Sequence, residues 1–196
     1  MRTVSFDRKL PQLLTAGGLV QVWGMSDDSV QLHRTLVAPM HFEFRRATIS
    51  ESGRWIAASD AAQNVFLWDC GVSHGKSPTS PRVYPAPRRA EGRSGDVTSL
   101  KFDPRERWLA CAATDRSVHV WRLEPALAAG SGTTGLADAD STTWVLTHPA
   151  DVHGLATSGD GNWLFSHAAD GAIRAWTMPP VDALSVAVAQ WQGAGF

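Results

Sequence analysis

The sequence has few features of a secreted protein or a membrane protein. Cysteine is scarce, since Cys70 and Cys111 are too few for a disulfide framework and are typical of reduced, intracellular thiols. No apolar run reaches about 18 residues, so no membrane-spanning helix is expected. Charged Arg2 and Asp7 interrupt the start of the chain, unlike a secretory leader. We therefore predict a cytoplasmic protein.

Neither sign of charge is in excess. The 196 residues include 18 Lys and Arg against 19 Asp and Glu, so the chain as a whole is not expected to attract nucleic acid. The motifs Gly-x-Ser-x-Gly, His-Glu-x-x-His and Gly-Lys-Ser/Thr and paired-cysteine metal sites do not occur. We predict no catalytic residue, no cofactor and no metal site.

Tryptophan is the aromatic residue in excess, with nine copies against one tyrosine. An equal spacing of 13 positions recurs in three pairs, which indicates an internal repeat. The segments 44–68, 97–121 and 152–176 align without a gap, and a shorter segment ends at Trp23. The pairs are Trp55 and Trp68, Trp108 and Trp121, and Trp163 and Trp176.

Each segment predicts three short antiparallel strands, because runs of alternating polarity are separated by turns of Gly, Asp and Pro. A fourth strand is predicted after the last tryptophan of each segment. These fourth strands are expected at Ser29–Leu36, Arg82–Tyr84, Thr142–Leu146 and Leu184–Trp191.

Four strands in a unit of roughly 40–45 residues, with Trp closing the third strand, resemble the WD-repeat family. The Trp-Asp dipeptide occurs once, at Trp68-Asp69, so the repeats are divergent, and the Ala, Gly and Arg content favours a bacterial source. The resemblance covers nearly the whole chain and implies an all-β protein with about four β-propeller blades, a partial or half propeller in one domain, 1–196. The expected blades are 1–36, 41–84, 96–147 and 151–192, with flexible inserts at 71–95 and 124–140.

The resemblance also implies a buried polar network of His, Ser or Thr, Asp and the closing Trp. The fourth segment offers His148, Ser166, Asp170 and Trp176. The third keeps Asp115 and Trp121 but has Arg93 and Cys111 at the His and Ser places. The first two segments are expected to lack the network.

Family members usually close a ring with seven or eight blades, so four blades leave three alternatives. The chain could be half of an eight-bladed ring completed by a second copy or another subunit, a compact four-bladed ring, or a piece of a longer chain. We favour association with another chain, because an open array of sheets exposes apolar faces.

Three kinds of function remain open. The first is a non-catalytic interaction or scaffold module, a subunit or sensor of a larger assembly, which binds protein partners on the rim where first strands begin. The second is binding of nucleic acid or another anionic partner through the basic insert 76–93. The third is a ligand-binding or enzymatic propeller, for which the inner strands offer few polar residues. The rim residues are Glu43, Arg45, Asp96, Thr98, Thr114, Asp151 and His153, with Arg2 a weaker candidate; the basic residues are Lys76, Arg82, Arg88, Arg89 and Arg93.

Overall fold

A computed structural model describes residues 3–6, 11–38, 43–71, 81–84, 95–123 and 143–178. All of the regular structure in these ranges is β-strand, and every strand pairing is antiparallel. Each sheet takes its strands in chain order, as a WD-type blade does. The prediction of an all-β fold with blades of this type is therefore confirmed.

Four sheets contain the fifteen described strands. Sheet one has β1 (Thr3–Phe6), β2 (Gln12–Ala16), β3 (Val20–Ser26) and β4 (Ser29–Leu36). Sheet two has β5 (Phe44–Ile49), β6 (Trp55–Asp60), β7 (Val65–Asp69) and β8 (Arg82–Tyr84). Sheet three has β9 (Val97–Phe102), β10 (Trp108–Ala113), β11 (Ser117–Arg122) and β12 (Thr143–Thr147), and sheet four has β13 (Val152–Thr157), β14 (Trp163–Ala168) and β15 (Ile173–Thr177). The strand predicted over 184–191 lies outside the described residues.

The repeat extends to the backbone conformation of single turn residues. The turn between the first and second strands of sheets two, three and four has positive φ at Gly53, Glu106 and Gly161. The turn between the second and third strands has it at Gln63, Arg116 and Gly171. These positions are equivalent in the three gapless segments, so each of these three sheets uses the same two turns with a left-handed residue, which is glycine in some copies and not in others.

The strands form two compact units, which are described separately: sheets one and two in unit one, and sheets three and four in unit two. In unit one, Leu14 and Val22 of sheet one share a buried core with Ile56, Phe66 and Trp68 of sheet two. The Phe44 and Trp68 rings pack edge to face, with their centroids 6.1 Å apart. Burial of these large side chains stabilises the unit, at about 25 cal/mol per Å² of apolar surface.

In unit two, sheet three buries one face against sheet four. Trp108, Ala110 and Val120 of sheet three lie in the same core as Leu164 and Trp176 of sheet four. The small alanines on β10 let the two sheets approach closely. The paired sheets therefore fix the positions of the turns at both ends of the unit.

Candidate functional site

A β-bulge lies at the same place near the start of the first strand in sheets two, three and four. The register shifts between Phe44 and Arg46 in β5, between Val97 and Ser99 in β9, and between Val152 and Gly154 in β13. The extra residue at each bulge is a predicted rim residue: Arg45, Thr98 or His153. A bulge leaves its extra residue out of the ladder and redirects its side chain. Arg45 and His153 are exposed, and Thr98 is half-buried.

Hydrogen bonds of backbone groups and threonine hydroxyls connect the first strands and a tight turn at the rim of unit two. The N–H of Thr114 donates to the carbonyl of Asp96 at 3.0 Å, and the N–H of Asp96 donates to the Thr114 hydroxyl at 2.9 Å. The Thr98 hydroxyl donates to the carbonyl of Val152 at 2.7 Å, which joins sheet three to sheet four. Five of the predicted rim residues, Asp96, Thr98, Thr114, Asp151 and His153, therefore belong to this end of unit two.

Charge of both signs is present on this rim. Arg116 Nε lies 3.8 Å from Asp151 Oδ1, and both side chains are well exposed. The rings of His153 and His167 lie next to each other, with their centroids 6.0 Å apart. In unit one, Glu43 and Arg45 are exposed where β5 begins, and the N–H of Phe44 donates to the carbonyl of Gly17 at 2.7 Å.

The polar network of the fourth segment centres on Ser166. Its hydroxyl accepts a hydrogen bond from Trp176 Nε1 at 2.8 Å and lies 2.7 Å from His148 Nε2. His148 Nδ1 lies 3.2 Å from the carbonyl of Leu146, an arrangement that holds the ring in place. Burial lowers the pKa of His148, so the ring is neutral at neutral pH.

Asp170 lies apart from this chain of bonds, which corrects its predicted place in the network. Its carboxylate accepts hydrogen bonds from Arg174 NH2 at 2.7 Å and from the N–H of Ala172 at 3.0 Å. The hydrogen bond from Arg174 lowers the pKa of Asp170, with that of Ala172 next. Asp170 is separated from His148 because Arg174, four residues later on β15, binds its carboxylate at the surface.

The third segment uses Asp115 differently from the family pattern. Asp115 accepts hydrogen bonds from the N–H of Ser117 at 3.0 Å and from the Ser117 hydroxyl at 2.6 Å, and it lies 3.7 Å from His119 Nε2. Burial opposes its charge, but His119 and Ser117 lower its pKa overall. The His119 ring stacks on Trp121 with a centroid distance of 6.0 Å. Complete burial raises the pKa of Cys111, so this thiol is protonated.

The first segment has half of the network that it was expected to lack. Trp23 Nε1 donates to the Thr15 hydroxyl at 3.0 Å. Thr15 is two residues closer to its tryptophan than Ser166 is to Trp176, because the hairpin of sheet one is shorter. In the second segment, the indole of Trp68 donates instead to the carbonyl of Val37 at 3.4 Å.

The opposite end of unit two contains a charged bridge that the sequence interpretation missed. Arg107 donates to the buried carboxylate of Asp103 through Nε at 2.6 Å and through NH2 at 3.1 Å. The same NH2 donates to the carbonyl of Gly161 at 2.6 Å, so the bridge joins the first turns of sheets three and four. The Asp-to-Arg spacing of four residues in 103–107 was the available signal.

The predicted anion contacts lie mostly beyond what the structure describes. Lys76, Arg88, Arg89 and Arg93 are outside the described residues, as is Arg2 of the predicted rim. Arg82 is half-buried on β8. Burial opposes the charge of Asp69, but hydrogen bonds from Arg54 and Gly71 lower its pKa overall, and the charge of Arg82 makes a smaller contribution in the same direction. Within the described ranges, no three His, Cys, Asp or Glu side chains come together as metal ligands, and no helix could span a membrane.

Sheet four has an outer face that differs in burial from the equivalent faces of sheets two and three. Trp108 pairs with Arg122 across β10 and β11, just as Trp163 pairs with Thr177 across β14 and β15. Trp108 is 2% exposed, whereas Trp163 is 38% exposed. Alternate residues of a strand share a face. We call this surface of sheet four the open face; it consists of Trp163, Phe165, His167, Ile173 and Ala175.

Comparisons with known proteins agree with the repeat. Residues 87–122 and 140–177 match the family model described as "WD domain, G-beta repeat". A protein named hir1 from Schizosaccharomyces pombe (strain 972 / ATCC 24843) is 31% identical over 152 residues. The match covers 74% of this chain and 16% of that protein, so the chain spans a small part of this relative's length.

Proposed function

Because the chain carries WD repeats, which generally serve protein–protein interaction or scaffolding, we propose that it is a non-catalytic interaction module of a larger assembly. The observation that carries this proposal is the bulge repeated at Arg45, Thr98 and His153. In three sheets, one residue at the same end of the first strand is left out of the strand pairing. Bulges redirect side chains and are frequent next to functional sites. The partner is expected to contact the rim of unit two.

Photocrosslinking in cells tests the rim. A photoreactive amino acid replaces His153 in one variant and Arg105 in another; both positions are exposed, and Arg105 lies in the β9–β10 turn at the other end of the strands. We expect a protein adduct from position 153 and none of the same mass from position 105. Equal adducts at both positions, or adducts at 105 alone, would contradict docking on the rim.

The open face supports the second part of the proposal, that another sheet joins the assembly. In sheet three, Ala110 and Val120 at the equivalent positions are fully buried against sheet four. In sheet four, Phe165 and Ala175 are half-buried, and Ile173 is 70% exposed. A face that elsewhere packs on a neighbouring sheet, and that carries stacked Trp163 and Phe165 rings here, favours a further sheet of the same kind as its partner. We expect a second copy of the chain to supply it.

Light scattering on the purified chain tests this arrangement. Wild type is expected to have more than the mass of one chain, and Ile173→Asp is expected to return it to a monomer, because the carboxylate must be desolvated in the contact. Val30→Asp is the matched control, since Val30 is an exposed β-branched residue on β4 of sheet one. A monomeric wild type, or dissociation by both variants alike, would contradict the second copy.

A further inference from the structure

A groove in unit one, lined by both polar and apolar residues, has no part in the rim or the open face. Two adjoining clefts of about 210 and about 310 Å³ share Gln12 and His33 in their walls. The His33 ring lies over Gly24, where a Cβ would collide with it. The absence of a side chain at Gly24 therefore lets His33 lie between the two clefts, which together run along β3 and β4.

The lining of this groove includes two arginines, of which Arg54 is paired with Asp69 outside the lining. Arg34 and Arg54 line the larger cleft, and none of the described residues lining either cleft is Asp or Glu. The remaining lining includes hydroxyl and amide groups at Ser26, Ser29 and Gln31. In a chain whose net charge is −1, this is a local concentration of hydrogen-bond donors and positive charge.

The two arginines are held differently. Arg54 is bidentate on Asp69, with Nε 3.0 Å from Oδ1 and NH2 2.8 Å from Oδ2, and its guanidinium lies 4.9 Å from the centre of the Trp55 ring. Arg34 donates from NH1 to the neutral carbonyl of Cys70 at 3.2 Å. No described carboxylate forms an ion pair with Arg34, so its charge is the one available to an incoming oxyanion.

We propose that this groove binds a carboxylate or phosphate group carried by an extended peptide, with Arg34 as the main anion contact. A guanidinium fork matches both groups with two parallel hydrogen bonds, and partial burial makes such bonds stronger than they are in water. The two clefts continue from Arg34 along β3 and β4, and the hydroxyl and amide groups in their lining can form hydrogen bonds with a peptide backbone next to the anion. Asp69 offsets the charge of Arg54, so Arg34 is the cation on which the proposal depends.

Amide NMR of the full chain tests this proposal with four probes: a short Ser-Glu repeat peptide, its phosphoserine analogue, a Ser-Lys repeat peptide, and inorganic phosphate alone. We expect saturable shifts at Gly53 and Gly71 with one or both acidic peptides, which distinguishes the source of the oxyanion. The Lys peptide should give none. Binding of inorganic phosphate as tightly as the better acidic peptide would overturn the role of the peptide backbone.

Three variants test whether Arg34 is the residue that contacts the anion. Arg34→Gln should weaken peptide binding by about tenfold or more, corresponding to about 1.4 kcal/mol. Arg34→Lys should keep part of the affinity, because the charge remains while the fork is lost. Arg105→Gln removes one exposed charge from unit two and should change affinity by less than about twofold. Equal weakening by Arg34→Gln and Arg105→Gln, or shifts that map away from the groove, would overturn the site.

Discussion

At the residue scale, hydrogen bonds to buried indoles distinguish the blades. Ser166 serves Trp176 and His148 together, whereas Thr15 serves Trp23 alone. A buried N–H that loses its acceptor costs more than the bond itself contributed, since water no longer solvates it. The contribution of Ser166 or Thr15 to the free energy of unfolding therefore depends on whether the group bonded to its hydroxyl could find another hydrogen-bond partner.

Ser166→Ala should lower the free energy of unfolding by about 1–3 kcal/mol, because it leaves the Trp176 N–H and one His148 nitrogen without a partner in the core. Urea denaturation measures the change. Ser29→Ala is the control: its hydroxyl bonds to Ser26 at the surface, and a loss below about 0.5 kcal/mol is expected. Combining Ser166→Ala with Trp176→Phe should cost less than the sum of the single losses; strict additivity would contradict the coupling.

His148 should make stability depend on pH. Because burial lowers its pKa below the ordinary 6.5, the unfolded chain binds the proton more readily than the folded chain does. The free energy of unfolding should therefore fall as pH drops below about 6.5, until the folded-state pKa is passed. Denaturation at several pH values measures the slope. His148→Gln should flatten it, whereas exposed His153→Gln should keep it; an unchanged slope in His148→Gln would contradict the assignment.

At the element scale, the turns share a backbone conformation that the alternating polarity of the strands does not predict. Positive φ recurs at the same two turn positions in three sheets, although only some of the residues there are glycine. Where glycine is present, its neighbours decide what a side chain would cost. Gly161 lies against Asp103 and Arg107 of the bridge, whereas nothing lies within 4 Å of a Cβ at Gly171.

Gly161→Ala should therefore destabilise unit two more than Gly171→Ala. Both variants incur backbone strain of about 1–2 kcal/mol, because both glycines have positive φ. Only Gly161→Ala also pushes a methyl group into the Asp103 carboxylate, which should add about 1 kcal/mol or more. Thermal unfolding compares the two variants. Equal losses would mean that the bridge can move aside without cost.

At the scale of the whole molecule, the open face of sheet four and the mixed-charge rim differ in chemistry. The open face is largely apolar, with Trp163, Phe165 and Ile173, whereas the rim carries Asp96, Arg116 and Asp151. Screening by salt weakens contacts between exposed charges and leaves apolar contacts nearly unchanged.

Self-association through the open face should consequently keep its dissociation constant within about threefold between about 50 mM and about 500 mM NaCl. Sedimentation velocity over a dilution series measures this constant. A steep loss of the dimer with salt would indicate that charged rim residues form the contact instead. Ile173→Asp should remove the dimer at both salt concentrations.

The sequence by itself determined the repeat, because Trp spacing and alternating polarity reflect strand geometry that any β-blade must satisfy. It predicted the strands of all four described sheets, the all-β class and the rim positions as candidates. Those are local properties, since each depends on residues within one hairpin or one strand.

Only the tertiary structure decided which partners the polar side chains take. Asp170 binds Arg174 instead of joining His148, Arg107 reaches across to Gly161, and Arg34 faces a groove without an acid. Trp108 is buried in the core that sheet three shares with sheet four, whereas the equivalent Trp163 is exposed, and this difference likewise depends on packing between sheets. Such outcomes depend on contacts between segments far apart in the chain, and spacing within one repeat does not contain them.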